Sequence, residues 1–222
     1  MSLRDLLRSQ LLDKFRKVND KGGVFLVIFD DESKEMLENY GDINDAMNAC
    51  GARYADKLLK KRQPQPQHDV LYFMKPNAEN IKQVNQDFQN QEHPKYRKVH
   101  FLFTAPCTPE LSSMFRGQII DPITVTKQEI IVDIYVGEKN VYHFGKPEHN
   151  QLFFFSPEKS AYLYEHYCIS AVEKLKSLFV SLGDYPKIQY MKSSPHPLFL
   201  SKMLQTKLDE LRDDEYSSYP VS

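Results

Sequence analysis

Three consecutive acids, Asp30, Asp31 and Glu32, close the apolar run Val24–Phe29. Carboxylates gathered at the end of a strand can hold a divalent cation, and one of them can then accept a phosphoryl group. That chemistry also requires an aspartate at the tip of a central strand and a lysine at the last one. Here Lys75-Pro76 follows Phe73-Met74, and Tyr135-Val136 follows Ile134; only Thr104, after Phe101–Phe103, suits the scheme. A dinucleotide site needs a glycine-rich turn after the first strand so that pyrophosphate can approach the backbone. The turn Asp30-Asp31-Glu32-Ser33 is acidic and contains no glycine. No phosphate-binding loop of the Walker type and no G-x-S-x-G nucleophile elbow occur. Cys107 stands just before a predicted helix, where a thiolate can be stabilised, but a lone cysteine there is more often a packing residue. Neither C-x-x-C nor H-E-x-x-H is present, and the 7 histidines are scattered, so zinc has no ligand set. The reading is no catalytic group, no metal and no cofactor.

Opposed charge is what the strand ends do carry. Seven acids (Asp30, Asp31, Glu32, Glu35, Glu38, Asp42, Asp45) stand against Lys34 between positions 30 and 45, and Lys57, Lys60, Lys61 and Arg62 follow. Such runs are either solvated faces or a patterned protein-binding surface, where charge governs partner choice and association rate more than affinity.

The elements that must position these residues follow from periodicity. Leu3, Leu6, Leu7, Leu11, Leu12, Phe15 and Val18 recur at helical spacing up to Asp20 and Gly22-Gly23. Val24–Phe29 is apolar on both faces, as a strand buried between helical layers must be; Val70–Met74 reads as a second buried strand and Val99–Phe103 as a third strand. A fourth run spans Glu129–Ile134, and a short strand near Arg53-Tyr54 completes the set. Residues 33–49 are predicted helical with a break near Gly41. Asn77 caps a helix over 78–88, and Thr108-Pro109-Glu110 opens another. The alternating Arg62-Gln63-Pro64-Gln65-Pro66-Gln67 reads as an extended connector. Strands alternating with helices predict an α/β domain, an open doubly wound parallel five-stranded sheet flanked by helices, over residues 1–136. Residues 137–222 have another texture: a short strand Val141–Phe144, a stub Phe153–Phe155, a long helix from Ser156-Pro157-Glu158 to Leu182, and a helix from Leu198 to Leu211. The long helix carries Val172, Leu175, Leu178, Phe179 and Leu182 on one face. Two helices and scraps of strand close no core, so this is expected to be an incomplete α/β second domain.

Composition limits the remaining options. The chain has 222 residues, 41% hydrophobic and 27% charged, with a net charge of −1. Its 14 Phe and 13 Tyr argue against disorder. The near-neutral charge argues against a nucleic-acid partner. No apolar run approaches a membrane span, and Met1–Asp20 is charged throughout, unlike a signal peptide. Cys50, Cys107 and Cys168, an odd and unclustered set, fit a reducing compartment. A cytoplasmic, soluble protein is expected.

Several segments together resemble the SM (Sec/Munc) family of syntaxin-binding regulators of SNARE-mediated fusion. They are Met36-Leu37 after a strand ending in Asp, Lys60-Lys61-Arg62-Gln63-Pro64, Val70–Pro76, Lys95-Tyr96-Arg97-Lys98-Val99-His100 with Phe103-Thr104, Ser181–Tyr190 and Gln205–Asp209. The resemblance implies binding without catalysis: a syntaxin-type SNARE partner, no small-molecule substrate, and membrane association only through that partner. It also implies an N-terminal fragment, all of the family's first domain and the opening part of its second. Asp30, Asp56, Lys60, Lys61 and Arg62 match positions in or near the face that grips the partner's helical bundle. Between Leu37 and Ile43, where the family has a basic position, this chain reads Glu38-Asn39-Tyr40-Gly41-Asp42. Cys107, Leu111 and Phe115 match the wall of a shallow pocket for the partner's N-terminal peptide, and Ser112 falls where many members carry a large apolar residue. The residues alone also allow a small-molecule-binding or phosphotransfer α/β domain.

Overall fold

The structure, a computed structural model, describes residues 2–89, 95–130, 134–138, 141–145, 157–193 and 195–214. The chain divides into two compact units, Met1–Ile131 and Val132–Ser222.

In the first unit Ser2 caps helix α1 (Leu3–Asn19) through a reciprocal box with Asp5. Strand β1 (Leu26–Phe29) follows, every residue buried. The predicted helix over 33–49 is two: α2 (Asp31–Tyr40), ended by Gly41, and α3 (Ile43–Cys50), capped by Asp42. Gly51 closes α3 in the left-handed region at φ 74°, which favours glycine. Strand β2 (Tyr54–Lys57) is short and mostly exposed. Strand β3 (Gln65–Met74), helix α4 (Ala78–Asp87) and strand β4 (Tyr96–Phe103) come next, α4 capped by Asn77 as expected. Two short helices, α5 (Pro109–Ser113) and α6 (Gly117–Ile120), lead to strand β5 (Thr124–Glu129).

All five strands are parallel in the order β2-β1-β3-β4-β5. The expected open parallel five-stranded sheet flanked by helices is borne out. Alternation splits each central strand between two layers. Ile28, Tyr72, Phe101 and Phe103 meet Ile81 and Val84 of α4. On the opposite face α1 brings Phe15 to within 5.2 Å of Phe73, and α1 packs on α2 and α3.

Two expectations need correction. The extended connector is not a loop throughout: Gln65 already pairs with Tyr96, the register shifts before Asp69, and Pro66 falls inside that irregularity, where its missing N–H is tolerated. Polyproline and β conformations are neighbours, so the connector merges into β3. The fifth strand is Thr124–Glu129, not Glu129–Ile134. It is an edge strand with alternating burial, so it has no continuous apolar run to betray it. Ile130 and Ile134 lie outside any strand, and 131–133 fall outside the described residues.

In the second unit β6 (Tyr135–Glu138) pairs antiparallel with β7 (Val141–His143), so Tyr135-Val136 belongs to a small separate ribbon rather than to a tip of the main sheet. The stub Phe153–Phe155 lies outside the described residues. Helix α7 (Pro157–Leu182) packs on α8 (Pro195–Asp214) through Val172, Leu175, Phe179, Leu204 and Leu208. Leu182, expected on that apolar face, is exposed at the helix end. Helix α8 starts three residues before the expected Leu198, with Pro195 and Pro197 in its first turn, where proline is tolerated. Arg212 stands over the Tyr185 ring, whose hydroxyl donates to Asp209, tying segment 184–190 to α8.

Candidate functional site

In the order 2-1-3-4-5 the chain reverses direction between β1 and β3, and ligands of such sheets bind beyond the strand ends at that point. Asp30 stands there, and its carboxylate is already engaged. Oδ1 accepts the Ser33 N–H at 2.6 Å, capping α2; Oδ2 accepts the Lys75 N–H and the Asn80 side-chain amide, both at 2.7 Å. Lys75 turns its ammonium to Glu32 at 2.8 Å. Asp30 therefore joins β1, β3 and α4. Among the described residues no group of three or more His, Cys, Asp or Glu could hold a metal ion.

The basic cluster splits in two. After β2 the chain turns tightly, the Leu58 N–H donating to Phe29 O at 2.7 Å and the Lys60 N–H to Lys57 O at 3.1 Å. Leu58 is buried, while Leu59, Lys60 and Lys61 are exposed. Lys60, with 66% of its side chain exposed, lies 3.2 Å from Asp56, and Lys57 lies 2.9 Å from Asp31. Arg62 does the opposite: only 6% of its side chain is exposed. Its Nη2 donates to Asp87 at 2.6 Å, Nε to the Tyr96 hydroxyl at 3.1 Å and Nη1 to Lys57 O at 2.5 Å. Asp87 also receives the Tyr72 hydroxyl at 2.8 Å and Lys95 at 2.5 Å. Burial pushes the Tyr96 hydroxyl up to about 12, against the lowering influence of Arg62. Burial and then the adjacent Asp87 carboxylate hold the Tyr72 hydroxyl well above its ordinary value. Burial alone would lower Arg62, but Asp87 and the two phenols outweigh it, and the guanidinium ends above its usual value. Of the five residues assigned to a charged face, the structure gathers Asp56, Lys60 and Lys61 at the surface. Asp30 and Arg62 belong to the framework beneath. Arg62 is a correction: next to two exposed lysines it reads as a third surface charge, yet its partners are 25 and 34 residues away in sequence.

Cys107, Leu111 and Phe115 belong to one apolar cluster beside β4. Thr108 caps α5, whose Pro109 fills the first turn. Cys107 and Leu111 are half-buried, and Phe115 is buried at 5.3 Å from Phe101 and 6.1 Å from Phe103. Asn85 of α4 fixes the far side, donating to Met114 O at 2.8 Å and accepting the Arg116 N–H at 3.0 Å. Burial raises the Cys107 thiol, with Lys127 opposing, so no thiolate is stabilised there. Two further residues join this wall from β5. Lys127 donates to Ser112 Oγ at 2.9 Å and stands 5.4 Å from the Phe115 ring centre, and Glu129 accepts the Cys107 N–H at 2.8 Å. Sequence reasoning misses both because it places the strand five residues late; the Thr124-Val125-Thr126 β-branched run is the available signal.

A model of the Sec1 family matches residues 25–220. The protein transport protein sec1 of Dictyostelium discoideum is 25% identical over 214 residues, covering 95% of this chain and 35% of its own. Among solved structures, the Unc18–syntaxin 1 complex from Monosiga brevicollis aligns with a TM-score of 0.81 at 21% identity, over 99% of this chain and 38% of that one. Sly1p in complex with an N-terminal peptide of Sed5p aligns at 0.78 and 18% identity, over 99% of this chain and 40% of that one. The fold is shared, and the chain spans little more than a third of the length of these relatives.

Proposed function

The chain belongs to the Sec1 family, and we propose that it serves as a syntaxin-binding regulator of SNARE-mediated vesicle docking and fusion, a scaffold without catalytic chemistry. The unit Met1–Ile131 acts as the family's first domain, a boundary five residues before the expected one at 136, and Val132–Ser222 as the opening of its second. Two solved relatives were captured with syntaxin 1 and with a Sed5p N-terminal peptide, which supports a SNARE as partner. The observation that carries the reading in this chain is the turn Leu58–Lys61. It shows Lys60 and Lys61 to solvent beside Asp56 while Leu58 and Arg62 anchor it on either side. A short, anchored turn of mixed charge suits electrostatic recognition of a folded partner.

Cys107, Leu111 and Phe115 form the second region, a shallow wall for an extended peptide. Asp30 and Arg62 support the first region from below. The competing phosphotransfer reading needs an available carboxylate at Asp30, and three protein donors engage that group. Among the described residues no helix is long and apolar enough to cross a membrane, which agrees with a cytoplasmic protein recruited to membranes through its partner.

Titration calorimetry of the whole protein against its cognate syntaxin-type SNARE tests the reading. Lys60→Glu combined with Lys61→Glu should weaken binding at least tenfold and flatten its salt dependence, with the melting temperature nearly unchanged, since exposed charges contribute about 0–1 kcal/mol each. Unchanged affinity and salt slope would refute the assignment of this turn.

A further inference from the structure

The two ends of the main sheet handle their cations differently. At the carboxyl ends Lys57 stands 2.9 Å from Asp31, Lys75 2.8 Å from Glu32 and Lys60 3.2 Å from Asp56. At the amino ends the register sets Tyr54, Leu26, Val70 and Val99 side by side. Arg53, Phe25, Asp69 and Lys98, one residue before each of these, therefore form a row along that edge. The Arg53 N–H donates to Phe25 O at 3.0 Å and the Phe25 N–H to Asp69 O at 2.9 Å, which holds the row together. Gly22 passes beside the Asp69 carboxylate and Asn19 lies beside Gly23 and Gly51, so Lys21 and the last turn of α1, with Lys17, border the same edge. Lys17, Lys21, Arg53 and Lys98 are exposed, and among the described residues none has an ion-pair partner. The buried Asp69 is matched by Arg97 at 2.7 Å, and Asp20 is the exposed acid among these residues. Rings complete the edge: His68 stacks on Phe25 at 3.7 Å between centres, and Tyr54, 59% exposed, packs against Phe25 at 5.1 Å.

We infer that this amino-end edge is a contact surface for an anionic lipid bilayer. Lys17, Lys21, Arg53 and Lys98 supply charge that no protein acid takes up, and a cation held at an anionic leaflet favours binding by about fivefold. Tyr54 adds an amphipathic ring, apolar where it meets Phe25 and polar at its hydroxyl, the kind that settles at the level of the headgroups. Single-stranded nucleic acid would need open ring faces for its bases, and here the central ring, Phe25, is taken up by His68 and Tyr54. The whole chain carries a net charge of −1, so an anionic surface attracts it only through a local excess such as this one. Four cations against Asp20 give a weak, reversible contact. It orients the domain, with the turn Leu58–Lys61 at the other end of β2 held away from the lipid, and adds to recruitment through a protein partner. It needs no SNARE, so it stands or falls apart from the SNARE reading.

Co-sedimentation of the 222-residue chain with extruded vesicles tests this, with no SNARE present. Vesicles of phosphatidylcholine with about 30% phosphatidylserine should carry the chain down at about 0.1 M salt, and pure phosphatidylcholine should not. Arg53→Gln combined with Lys98→Gln should lower the partition coefficient by about 25-fold, fivefold for each cation. Lys60→Gln combined with Lys61→Gln removes the same charge from the carboxyl-end turn and should lower it by less than about threefold. All four positions are exposed, and melting curves confirm that both variants are folded. Equal losses in the two variants would mean attraction by overall charge and would overturn the inference. So would a wild-type chain that ignores phosphatidylserine, or one that binds a thymidine oligonucleotide of about 20 residues at the same salt more tightly than the anionic vesicles.

Discussion

Replacing Arg62 should damage the fold, whereas replacing its neighbour Lys60 should not, although the two look alike in sequence. Arg62 donates to Asp87, to the Tyr96 hydroxyl and to Lys57 O, and its side chain is 6% exposed against 66% for Lys60. Removing one partner of a buried ion pair strands the other charge and costs about 3–5 kcal/mol. Asp87 keeps Lys95 and the Tyr72 hydroxyl when Arg62 is cut back, so the lower end applies, about 3 kcal/mol for Arg62→Ala. Arg62→Glu sets a second carboxylate against Asp87 and should reach or exceed the upper end, about 5 kcal/mol. At about 3 °C per kcal/mol for a unit of this size, Arg62→Ala lowers the melting temperature by roughly 9 °C. Lys60→Ala removes an exposed pair and moves it by less than about 3 °C, since such pairs contribute about 0–1 kcal/mol. Differential scanning calorimetry of the two single variants decides the matter. Equal shifts would mean that the Arg62–Asp87 network carries no more stability than a surface pair.

Two further perturbations concern buried groups, an imidazole and a carboxylate, whose role here is structural. His100 is buried, with Nδ1 hydrogen-bonded to Thr126 Oγ1 at 2.9 Å and Nε2 without a partner. Burial, with help from Lys98 and against Asp69, lowers its proton affinity, so the unfolded chain takes up the proton first. The stability this residue contributes is then complete above about pH 6.5 and declines as the pH falls through that value towards the depressed folded one. Urea midpoints at pH 8 and pH 5 should show a smaller decline in His100→Gln than in wild type, and equal declines would sink the argument. Asp30→Ala removes the α2 cap and the acceptor of the Lys75 N–H, and leaves the Asn80 amide only its bond to Lys75 O, so urea denaturation should report a loss of about 2 kcal/mol. A loss below about 0.5 kcal/mol would mean the carboxylate is not a structural one.

Where a local rule and the tertiary environment agree, the sequence was sufficient. Val24–Phe29, Val70–Met74 and, with His100 its one polar residue, Val99–Phe103 are largely apolar on both faces because helices cover both sides of the central strands, so each run stands out. Asn77 is a cap, and Gly41 is a break, for reasons contained within four residues. The fifth strand was not legible in the same way. An edge strand needs one apolar face only, and Thr124–Glu129 alternates, so the continuous run beginning at Glu129 outscored it. The difference bears on the site, because only a strand over Thr124–Glu129 puts Lys127 and Glu129 on one side.

The charged turn shows a limit of another kind. Lys60, Lys61 and Arg62 form one basic word, and only partners distant in sequence decide which member faces water. Asp87 and Tyr96 stand where α4 ends and β4 begins, and with Tyr72 on β3 they offer a buried acceptor flanked by two phenols. A guanidinium with several donors in a planar fork can satisfy that site, and a lysine cannot reach the same set. Once Arg62 is drawn inward its Nη1 donates to Lys57 O, and with Leu58 held by Phe29 O the turn between them is closed at both ends. Lys60 and Lys61 are thereby displayed on a segment with little backbone freedom to lose. Binding through such a turn avoids much of the ordering cost that a free loop would incur. On the proposed reading Arg62 therefore acts on the partner only through the shape of the turn. Its replacement should weaken capture by loosening Lys60 and Lys61, without changing the charge that the partner meets.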